Sequence, residues 1–274
     1  MAVAAAPLRE ALAAATDALR AAGVEAPRLD AELMLAEATG TDRARLAAEP
    51  EAPIEPAAGR AFAAMVRRRI AREPLAYITG RKGFRGLELQ VDRRALIPRP
   101  ETELLVEIAV ERGPATVLDV GTGCGAVALA IADELPEAEV IATDSSSAAL
   151  ELAAKNAHRL GLAARVELLA GTLPQGRSVE LLVANLPYVR DGEWEELAPE
   201  IRAYEPREAL VAGPDGLDAI RGLIALGPDC DAIALEVGAG QAPGVQELLA
   251  DAGFGELESR RDLAQIERVV VGVR

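Results

Sequence analysis

The chain has 274 residues, of which half are hydrophobic but only 3% aromatic, and its formal net charge is -15. Two cysteines provide no disulfide framework, and a single histidine, His158, excludes a His-rich metal site. No apolar run of 18 residues is free of charges or glycines, so we expect no membrane helix. The Ala-rich N-terminus lacks a basic leader, and we expect a cytoplasmic protein without a bound metal.

The charge is unevenly distributed along the chain. Residues 1–85 carry a net charge of +2 and residues 86–274 carry -17. The acidic part should repel nucleic acid, because neutralisation of phosphates supplies most of the affinity in such complexes. Eight basic residues between positions 60 and 85 face only one acid, Glu73, in the same span. This run favours a solvated helix face, and a docking surface for an acidic partner is the alternative.

Residues 1–75 show helical periodicity and no strand pattern. Amphipathic segments cover residues 7–23, 27–40 and 58–73, and they are separated by glycine and proline signals. We predict a small helical domain of three to five helices over residues 1–75. In residues 76–98, Gly80, Gly83 and Gly86 separate short extended pieces, which indicates a β-hairpin linker.

The remaining residues, 99–274, alternate apolar strands with helices. The strand candidates are TVLDV, VIATD, RVELLAG, VELLVAN and DAIALEVG, and helical segments lie between them. This alternation predicts an α/β domain with a mostly parallel sheet built from right-handed crossovers. The last two candidates, GELESRRDL and IERVVVGV, follow each other directly, so we expect the sheet to close with an antiparallel hairpin.

A glycine-rich turn, VGTGCG, follows the first of these strands, and Asp144 ends the next one. Glycines let a backbone approach a ligand closely, and a carboxylate at this position can accept both ribose hydroxyls of an adenosine. The turn also fits a dinucleotide pattern, so the glycines alone leave NAD and S-adenosylmethionine open. Asp119 in the first strand, a third glycine at Gly125 and the terminal hairpin together resemble the Rossmann-like class I methyltransferase fold, which implies S-adenosylmethionine as the methyl donor and S-adenosylhomocysteine as the product.

The stretch LLVANLPYV places Asn185, Leu186, Pro187 and Tyr188 after a buried strand, at the edge where α/β folds bind ligands. A planar amino group is a poor nucleophile because its lone pair is delocalised. The side-chain oxygen of Asn185 and a main-chain carbonyl near Leu186 or Pro187 can each accept one of its protons and so orient the lone pair. We predict an amino-group clamp here, in which Tyr188 offers a flat surface and a hydroxyl.

This stretch resembles the Asn-Pro-Pro-Tyr motif of amino-group methyltransferases. RALIPRPETELLVE, from Arg94 to Glu107, resembles the signature of the release factor glutamine methyltransferases, and GVEAPRLDAELML, REPLAYITG, YEPREAL, GPDGLDAIR and LEVGAGQ follow the same group in the same order. The resemblance implies methylation of the glutamine in the Gly-Gly-Gln tripeptide of bacterial class I peptide chain release factors, which modulates translation termination. It implies a helical domain that recognises the factor, and no direct contact with nucleic acid or membrane.

The resemblance assigns catalysis to Asn185, Pro187 and Tyr188, and substrate binding to these three and Leu186. The cofactor contacts that it implies are Asp119, Gly121, Thr122, Gly123, Cys124, Gly125, Asp144, Thr172 and Asn185. Two of these positions depart from the family pattern: Leu186 replaces a proline, and Thr172 stands where an acid commonly contacts adenine. Three other functions stay open from the sequence: an enzyme acting on nucleic-acid adenines, one acting on a ribosomal protein, and a non-catalytic binding module.

Overall fold

The computed structural model describes residues 7–274, so residues 1–6, the start of the predicted helical domain, lie outside the described part. The chain forms two compact units. The helical unit comprises residues up to Gly80 together with Ala198–Tyr204, and the sheet unit comprises Arg81–Leu197 and Glu205–Arg274. None of the described helices is long and apolar enough to cross a membrane.

The α-helices of residues 7–274 are α1 (Leu8–Ala21), α2 (Pro27–Thr39), α3 (Arg43–Ala48), α4 (Pro56–Ile70), α5 (Leu75–Thr79), α6 (Glu103–Arg112), α7 (Ala126–Glu134), α8 (Ser147–Arg159), α9 (Pro199–Tyr204), α10 (Asp218–Ala225) and α11 (Ala242–Asp251). The strands are β1 (Arg81–Phe84), β2 (Leu87–Gln90), β3 (Thr116–Val120), β4 (Glu139–Asp144), β5 (Val166–Ala170), β6 (Val179–Ala184), β7 (Cys230–Glu236), β8 (Glu256–Arg261) and β9 (Glu267–Val273).

The helical unit packs α1, α2 and α4 around an aliphatic core. Leu19, Met34 and Leu35 are fully buried in it. Helix α2 begins at Pro27, whose fixed φ suits a first helical position, and it ends before Gly40, which has a left-handed φ of 64°. The helices predicted from periodicity are therefore present, and the short helix α9, far away in the sequence, belongs to the same unit.

Three arginines of the basic run are bound by carboxylates of the helical unit. Arg69 is buried, and its guanidinium donates to Asp30 at 2.7 Å and to Glu200 of α9 at 3.0 Å. Arg72 donates to both oxygens of Glu200 at 2.7 Å, and Arg68 pairs with Glu73 at 2.7 Å. The predicted solvated face is wrong for Arg69, because sequence spacing does not show that two distant acids meet it.

The sheet unit contains a seven-stranded sheet in the order β5-β4-β3-β6-β7-β9-β8. Strands β3 to β7 are parallel, whereas β9 runs antiparallel to both β7 and β8. The central strands are apolar on both faces, as expected where helices cover both sides of a parallel sheet. The predicted α/β class and terminal antiparallel hairpin are confirmed. A separate antiparallel hairpin, β1 with β2, precedes the sheet, as the sequence also predicted.

Candidate active site

A cavity of about 220 Å³ lies where β3, β4 and β6 end. This is the edge at which parallel α/β sheets bind ligands. Ten of the twelve residues predicted for the site line the cavity: Asp119, Gly121, Thr122, Gly123, Cys124, Asp144, Thr172, Asn185, Leu186 and Pro187. The cavity lining, within the described residues, does not include the other two, Gly125 and Tyr188, which directly follow lining residues in the chain.

The glycine-rich turn leaves β3 and starts α7. Gly121, Gly123 and Gly125 all have positive φ, which residues with a Cβ rarely adopt. A Cβ on Gly125 would lie 2.9 Å from Leu129 Cδ1, and one on Gly121 would lie 3.2 Å from Leu186 Cδ2. The turn therefore needs glycine for both its dihedral angles and its packing, and at Gly121 and Gly123 bare backbone lines the cavity.

Asp119 is 1% exposed and braces this turn. Its carboxylate accepts the Thr122 hydroxyl at 2.7 Å and the backbone N–H of Ala128, in the first turn of α7, at 3.2 Å. Burial raises the pKa of Asp119 to about 7, although these two hydrogen bonds lower it and the nearby charge of Asp144 raises it further. The carboxylate thus holds the turn and the helix start together at the cavity wall.

Asp144 ends β4 and accepts two backbone N–H groups. Its Oδ2 accepts from Gly123 at 2.9 Å and its Oδ1 from Ser146 at 2.8 Å. A carboxylate has about four lone-pair sites, so two of them stay available to a ligand. The neighbouring Thr172 also lines the cavity, and its carbonyl accepts the Thr143 hydroxyl at 2.8 Å. Its adenine contact stays a prediction.

Cys124 contributes packing to the cavity wall. Burial raises the pKa of its thiol to about 12, so it is protonated at neutral pH. A protonated, buried thiol is a poor nucleophile. Its carbonyl oxygen accepts the side-chain amide of Asn156 at 2.9 Å.

The end of β6 brings Asn185 to the cavity. The Asn185 Nδ2 donates to the Thr102 hydroxyl at 2.9 Å, and Thr102 is itself buried in the turn that precedes α6. Tyr188 points its hydroxyl to Glu236 Oε1 at 3.3 Å. Burial, with the charge of Glu236, raises the pKa of the Tyr188 phenol, so it remains a donor.

Glu236 ends β7 and is 1% exposed. Burial raises its pKa to about 7; the nearby hydroxyls of Tyr188 and Thr102 lower it, and the charge of Glu101 raises it. Among the described residues, its Oε2 is the buried side-chain oxygen without a hydrogen-bond partner. The sequence did not single out this carboxylate, because it reads as the end of an apolar strand.

Three further residues that the sequence did not single out hold the cavity walls. Asn156 is fully buried; it exchanges hydrogen bonds with the backbone of Gln90 and binds the glycine turn. Glu205 accepts from Arg99 at 2.5 Å and from the backbone N–H of Ile97 at 3.1 Å, which fixes the IPRP segment. Gln241 donates to the carbonyl of Tyr188 at 2.9 Å. One signal for Asn156 was visible: it is a polar residue on the buried face of α8.

The family signature segment lies in this cavity as well. Its lining members are Arg94, Ala95, Leu96, Ile97, Pro98, Arg99 and Thr102. The motifs YEPREAL and GPDGLDAIR also approach the site: Pro206 lines the cavity, and a Cβ on Gly216 would lie 2.2 Å from the Tyr188 carbonyl oxygen. The signature segment, YEPREAL and GPDGLDAIR therefore meet around one cavity, whereas GVEAPRLDAELML and REPLAYITG belong to the helical unit.

Comparison with known proteins identifies two domain families in the chain. The PrmC N-terminal domain matches residues 10–80, and a methyltransferase domain matches residues 117–204. The catalytic domain of hMettl16, solved in complex with the MAT2A 3'UTR hairpin 6, has a TM-score of 0.57 with 14% sequence identity and covers 78% of this chain and 81% of its own. At this identity the likeness shows a shared fold.

Curated relatives match over nearly the whole chain. A release factor glutamine methyltransferase of Geobacter sulfurreducens is 41% identical over 259 residues, covering 91% of this chain and 90% of the relative. One of Moorella thermoacetica is 44% identical over 257 residues and covers 90% of each, and one of Cereibacter sphaeroides is 41% identical over 269 residues, covering 95% of this chain and 96% of the relative. Identity at this level and coverage shows that the chain belongs to the release factor glutamine methyltransferase family.

Proposed function

We propose that this protein transfers a methyl group from S-adenosylmethionine to the side-chain amide nitrogen of the glutamine in the Gly-Gly-Gln tripeptide of peptide chain release factors. The observation that carries the proposal is the Asn185 side chain at the cavity edge, whose Nδ2 is hydrogen-bonded to Thr102. The amide oxygen is thereby left as the polar atom that this side chain offers to a substrate. Family membership supports the choice of substrate.

The residues around the cavity fit S-adenosylmethionine. The glycines of the turn present bare backbone to the cavity, and Asp144 provides a carboxylate for the ribose hydroxyls. Asp119, Thr122 and Cys124 are proposed to complete the cofactor side together with Gly123, Gly125 and Thr172. When bound, the cofactor supplies a methyl group on a sulfonium sulfur and leaves as S-adenosylhomocysteine.

The chain's own contribution to the transfer is orientation and charge stabilisation. Asn185 Oδ1 and a main-chain carbonyl at Leu186 or Pro187 accept the two N–H bonds of the substrate amide, which turns the nitrogen lone pair toward the cofactor. Orientation of this kind can supply on the order of 7–11 kcal/mol of barrier lowering. The same acceptors stabilise the positive charge that grows on the nitrogen as the new N–C bond forms.

The role proposed for Tyr188 is narrower than the sequence indicated. Its hydroxyl is engaged by Glu236 and its carbonyl by Gln241. We therefore assign it the flat ring surface beside the substrate and the fixing of the turn after Pro187, and we assign the hydroxyl to the network behind the site.

We propose that the helical unit recognises the release factor and takes no part in the chemistry. The match of residues 10–80 to the PrmC N-terminal domain supports a distinct role for it. The net charge of -17 on residues 86–274 supports a protein partner over nucleic acid. A cytoplasmic location agrees with an enzyme of translation factors.

The test is methyl transfer from labelled S-adenosylmethionine to a purified bacterial release factor, with the label located by mass spectrometry. We expect a single label on the tripeptide glutamine. The matched control is the same factor with that glutamine replaced by glutamate, which should stay unlabelled. Label on nucleic acid or on a ribosomal protein, or no label on any of them, would overturn the proposal.

A further inference from the structure

Asn156, on the buried face of α8, is hydrogen-bonded to two separate segments next to the cavity. Its Nδ2 donates to the carbonyl of Cys124 in the glycine turn and to the carbonyl of Gln90, each at 2.9 Å. Its Oδ1 accepts the backbone N–H of Gln90 at 2.7 Å. One side chain therefore binds both the turn that follows β3 and the end of β2.

These hydrogen bonds use both protons of the Asn156 amide. Each Nδ2 proton is donated to a different carbonyl, and the oxygen Oδ1 meets an N–H. The orientation of the amide is thereby fixed, because a flipped amide would set Oδ1 against two carbonyl oxygens and Nδ2 against an N–H. A buried carbonyl that loses its donor is destabilising. The backbone positions of Cys124 and Gln90 thus depend on this one amide.

Gln90 leads directly into the signature segment. It ends β2, and four residues later Arg94 lines the cavity. A short turn joins them, in which the Asp92 carboxylate accepts the backbone N–H of Arg94 at 3.1 Å and the Asp92 carbonyl accepts that of Ala95 at 3.3 Å. Ala95 then approaches the glycine turn, since a Cβ on Gly123 would lie 3.8 Å from the Ala95 Cβ. The glycine turn and the signature segment therefore meet at the cavity and are bound to the same amide.

We propose that Asn156 is a positioning residue that couples the glycine turn to the signature segment, so that S-adenosylmethionine bound against the turn also orders the segment. The inference rests on the proposed function for the identity of the cofactor. Asn156 is not among the described residues that line the cavity, so it acts through the two backbones and not on a ligand. A turn that is held in one arrangement loses less conformational freedom on binding, which strengthens cofactor binding.

Two substitutions separate the contacts of Asn156. Asn156→Asp keeps an acceptor for the Gln90 N–H but loses both donated hydrogen bonds, whereas Asn156→Leu loses all three. The Kd for S-adenosylmethionine in titration calorimetry should rise on the order of 10–100-fold in both variants, because a buried carbonyl is left without a donor.

Val245→Ala is the matched control for the calorimetry. Val245 is buried on α11, a helix that packs on β8 and β9, and its truncation lowers stability without touching the glycine turn. Its Kd for S-adenosylmethionine should equal that of the wild type. An unchanged Kd in both Asn156 variants, or an equal rise in Val245→Ala, would overturn the proposal.

A second measurement starts from the wild-type protein and needs no release factor. The Gln90 amide donates to Asn156, so its hydrogen exchange reports the opening of this contact. Saturation with S-adenosylmethionine should slow that exchange by about 10-fold, a typical size for coupling between two sites. The Glu180 amide is the matched control: it also donates to a side-chain oxygen, that of Thr116 at 3.0 Å, but near the starts of β3 and β6, and should not respond.

The same measurement in Asn156→Asp distinguishes coupling from a purely structural role. This variant keeps the acceptor for Gln90 and loses the contact with Cys124. Exchange at Gln90 should therefore no longer respond to saturating cofactor, whereas a purely structural residue would change the exchange rate and leave the response in place. No response of Gln90 in the wild type, or a response that persists in Asn156→Asp, would overturn the proposal.

Failure of the proposed function gives a different result. Wild-type protein that shows the Gln90 response but transfers no methyl group to a release factor would remove the glutamine methyltransferase function and retain the coupling role of Asn156. Methyl transfer to the glutamine without a Gln90 response would remove the coupling role and retain the function. Wild-type protein that binds no S-adenosylmethionine would overturn both.

Discussion

Buried carboxylates of the helical unit and two buried carboxylates near the strand ends of the sheet unit have different partners. In the helical unit, Asp30 and Glu200 each accept from guanidinium groups at 2.7 Å. Burial opposes ionisation of Glu200, but the hydrogen bonds from Arg72 and Arg69 lower its pKa overall. Glu200 is therefore a fixed negative charge across the neutral pH range.

In the sheet unit, Asp119 and Glu236 are buried more completely and bind mainly hydroxyl and N–H groups. Burial raises the pKa of each to about 7. A carboxyl group paired with arginine stays ionised, because the guanidinium stabilises its charge. A buried carboxyl group that faces hydroxyls can instead exchange a proton near neutral pH. The difference distinguishes carboxylates that stabilise a fold from carboxylates that serve a site.

The largest effect is expected at Asp144, the site carboxylate that should bind the ribose of the cofactor. Asp144→Ala removes two charge-assisted hydrogen bonds to the ribose, each worth about 1.5–3 kcal/mol. The dissociation constant for S-adenosylmethionine should rise on the order of 10²–10⁴-fold in titration calorimetry. Asp133→Ala, an exposed acid on α7, is the control and should bind normally. Unchanged affinity in Asp144→Ala would contradict the ribose role.

On the helical side, Arg69→Ala should damage stability and spare the chemistry. Removing one partner of a buried pair leaves an uncompensated charge at Asp30, at a cost of about 3–5 kcal/mol. Hydrogen exchange of amides in α2 and α4 should report this loss, while cofactor affinity stays within error. Arg67→Ala, an exposed neighbour on the same helix, is the control. Equal hydrogen-exchange protection in Arg69→Ala and Arg67→Ala would show that the buried Arg69–Asp30 pair does not contribute to stability.

Asn185→Ala should have the opposite effect: it should impair the chemistry and spare stability. One acceptor is lost from the site of developing charge, so kcat should fall on the order of 10²–10³-fold. Release factor binding should change little, because it rests on a broad surface. The measurement is single-turnover methylation by folded protein saturated with cofactor. A wild-type rate under those conditions would show that Asn185 has no role in catalysis and that the motif only ends a strand.

The smallest effect is a pH dependence of stability. The pKa of Glu236 is raised from 4.5 to about 7 on folding, so its contribution is fully present below pH 4.5 and is lost as pH rises through 7. Between pH 6 and 8 the free energy of unfolding of the sheet unit should fall by about 1 kcal/mol from this group.

Urea unfolding followed by the fluorescence of Trp194, the single tryptophan, measures this loss. In Glu236→Gln, the free energy of unfolding should no longer show this decrease between pH 6 and 8. Glu200→Gln is the matched control, because a carboxyl whose pKa is lowered on folding loses its contribution only at acid pH. The same slope in Glu236→Gln as in the wild type would contradict a raised pKa for this carboxyl.

The fold was largely predictable because its signals are local. Strand length, apolar runs and turn residues predicted the parallel sheet, and two adjacent strand patterns predicted the hairpin of β8 and β9. The glycine turn and Asp144 could be placed for the same reason: each follows a strand, and parallel strands end at a common edge.

The supporting residues could not be predicted, because their partners are remote in sequence. Asn156 binds Gln90 across 66 positions, and Glu205 binds Arg99 across 106. Periodicity shows that a residue is buried but not which polar group meets it. The same limit applies to Arg69, whose partner Glu200 is 131 positions away.

The discontinuous make-up of the helical unit has a consequence for how the protein is synthesised. The 117 residues 81–197 separate α5 from α9, the last helix of that unit. At 5–20 residues per second, α9 leaves the ribosome roughly 6–24 s after α5. During that interval Arg69 has Asp30 available, but Arg72 has no Glu200 to bind. The nascent helical unit must therefore wait, incomplete, until most of the sheet unit has been translated.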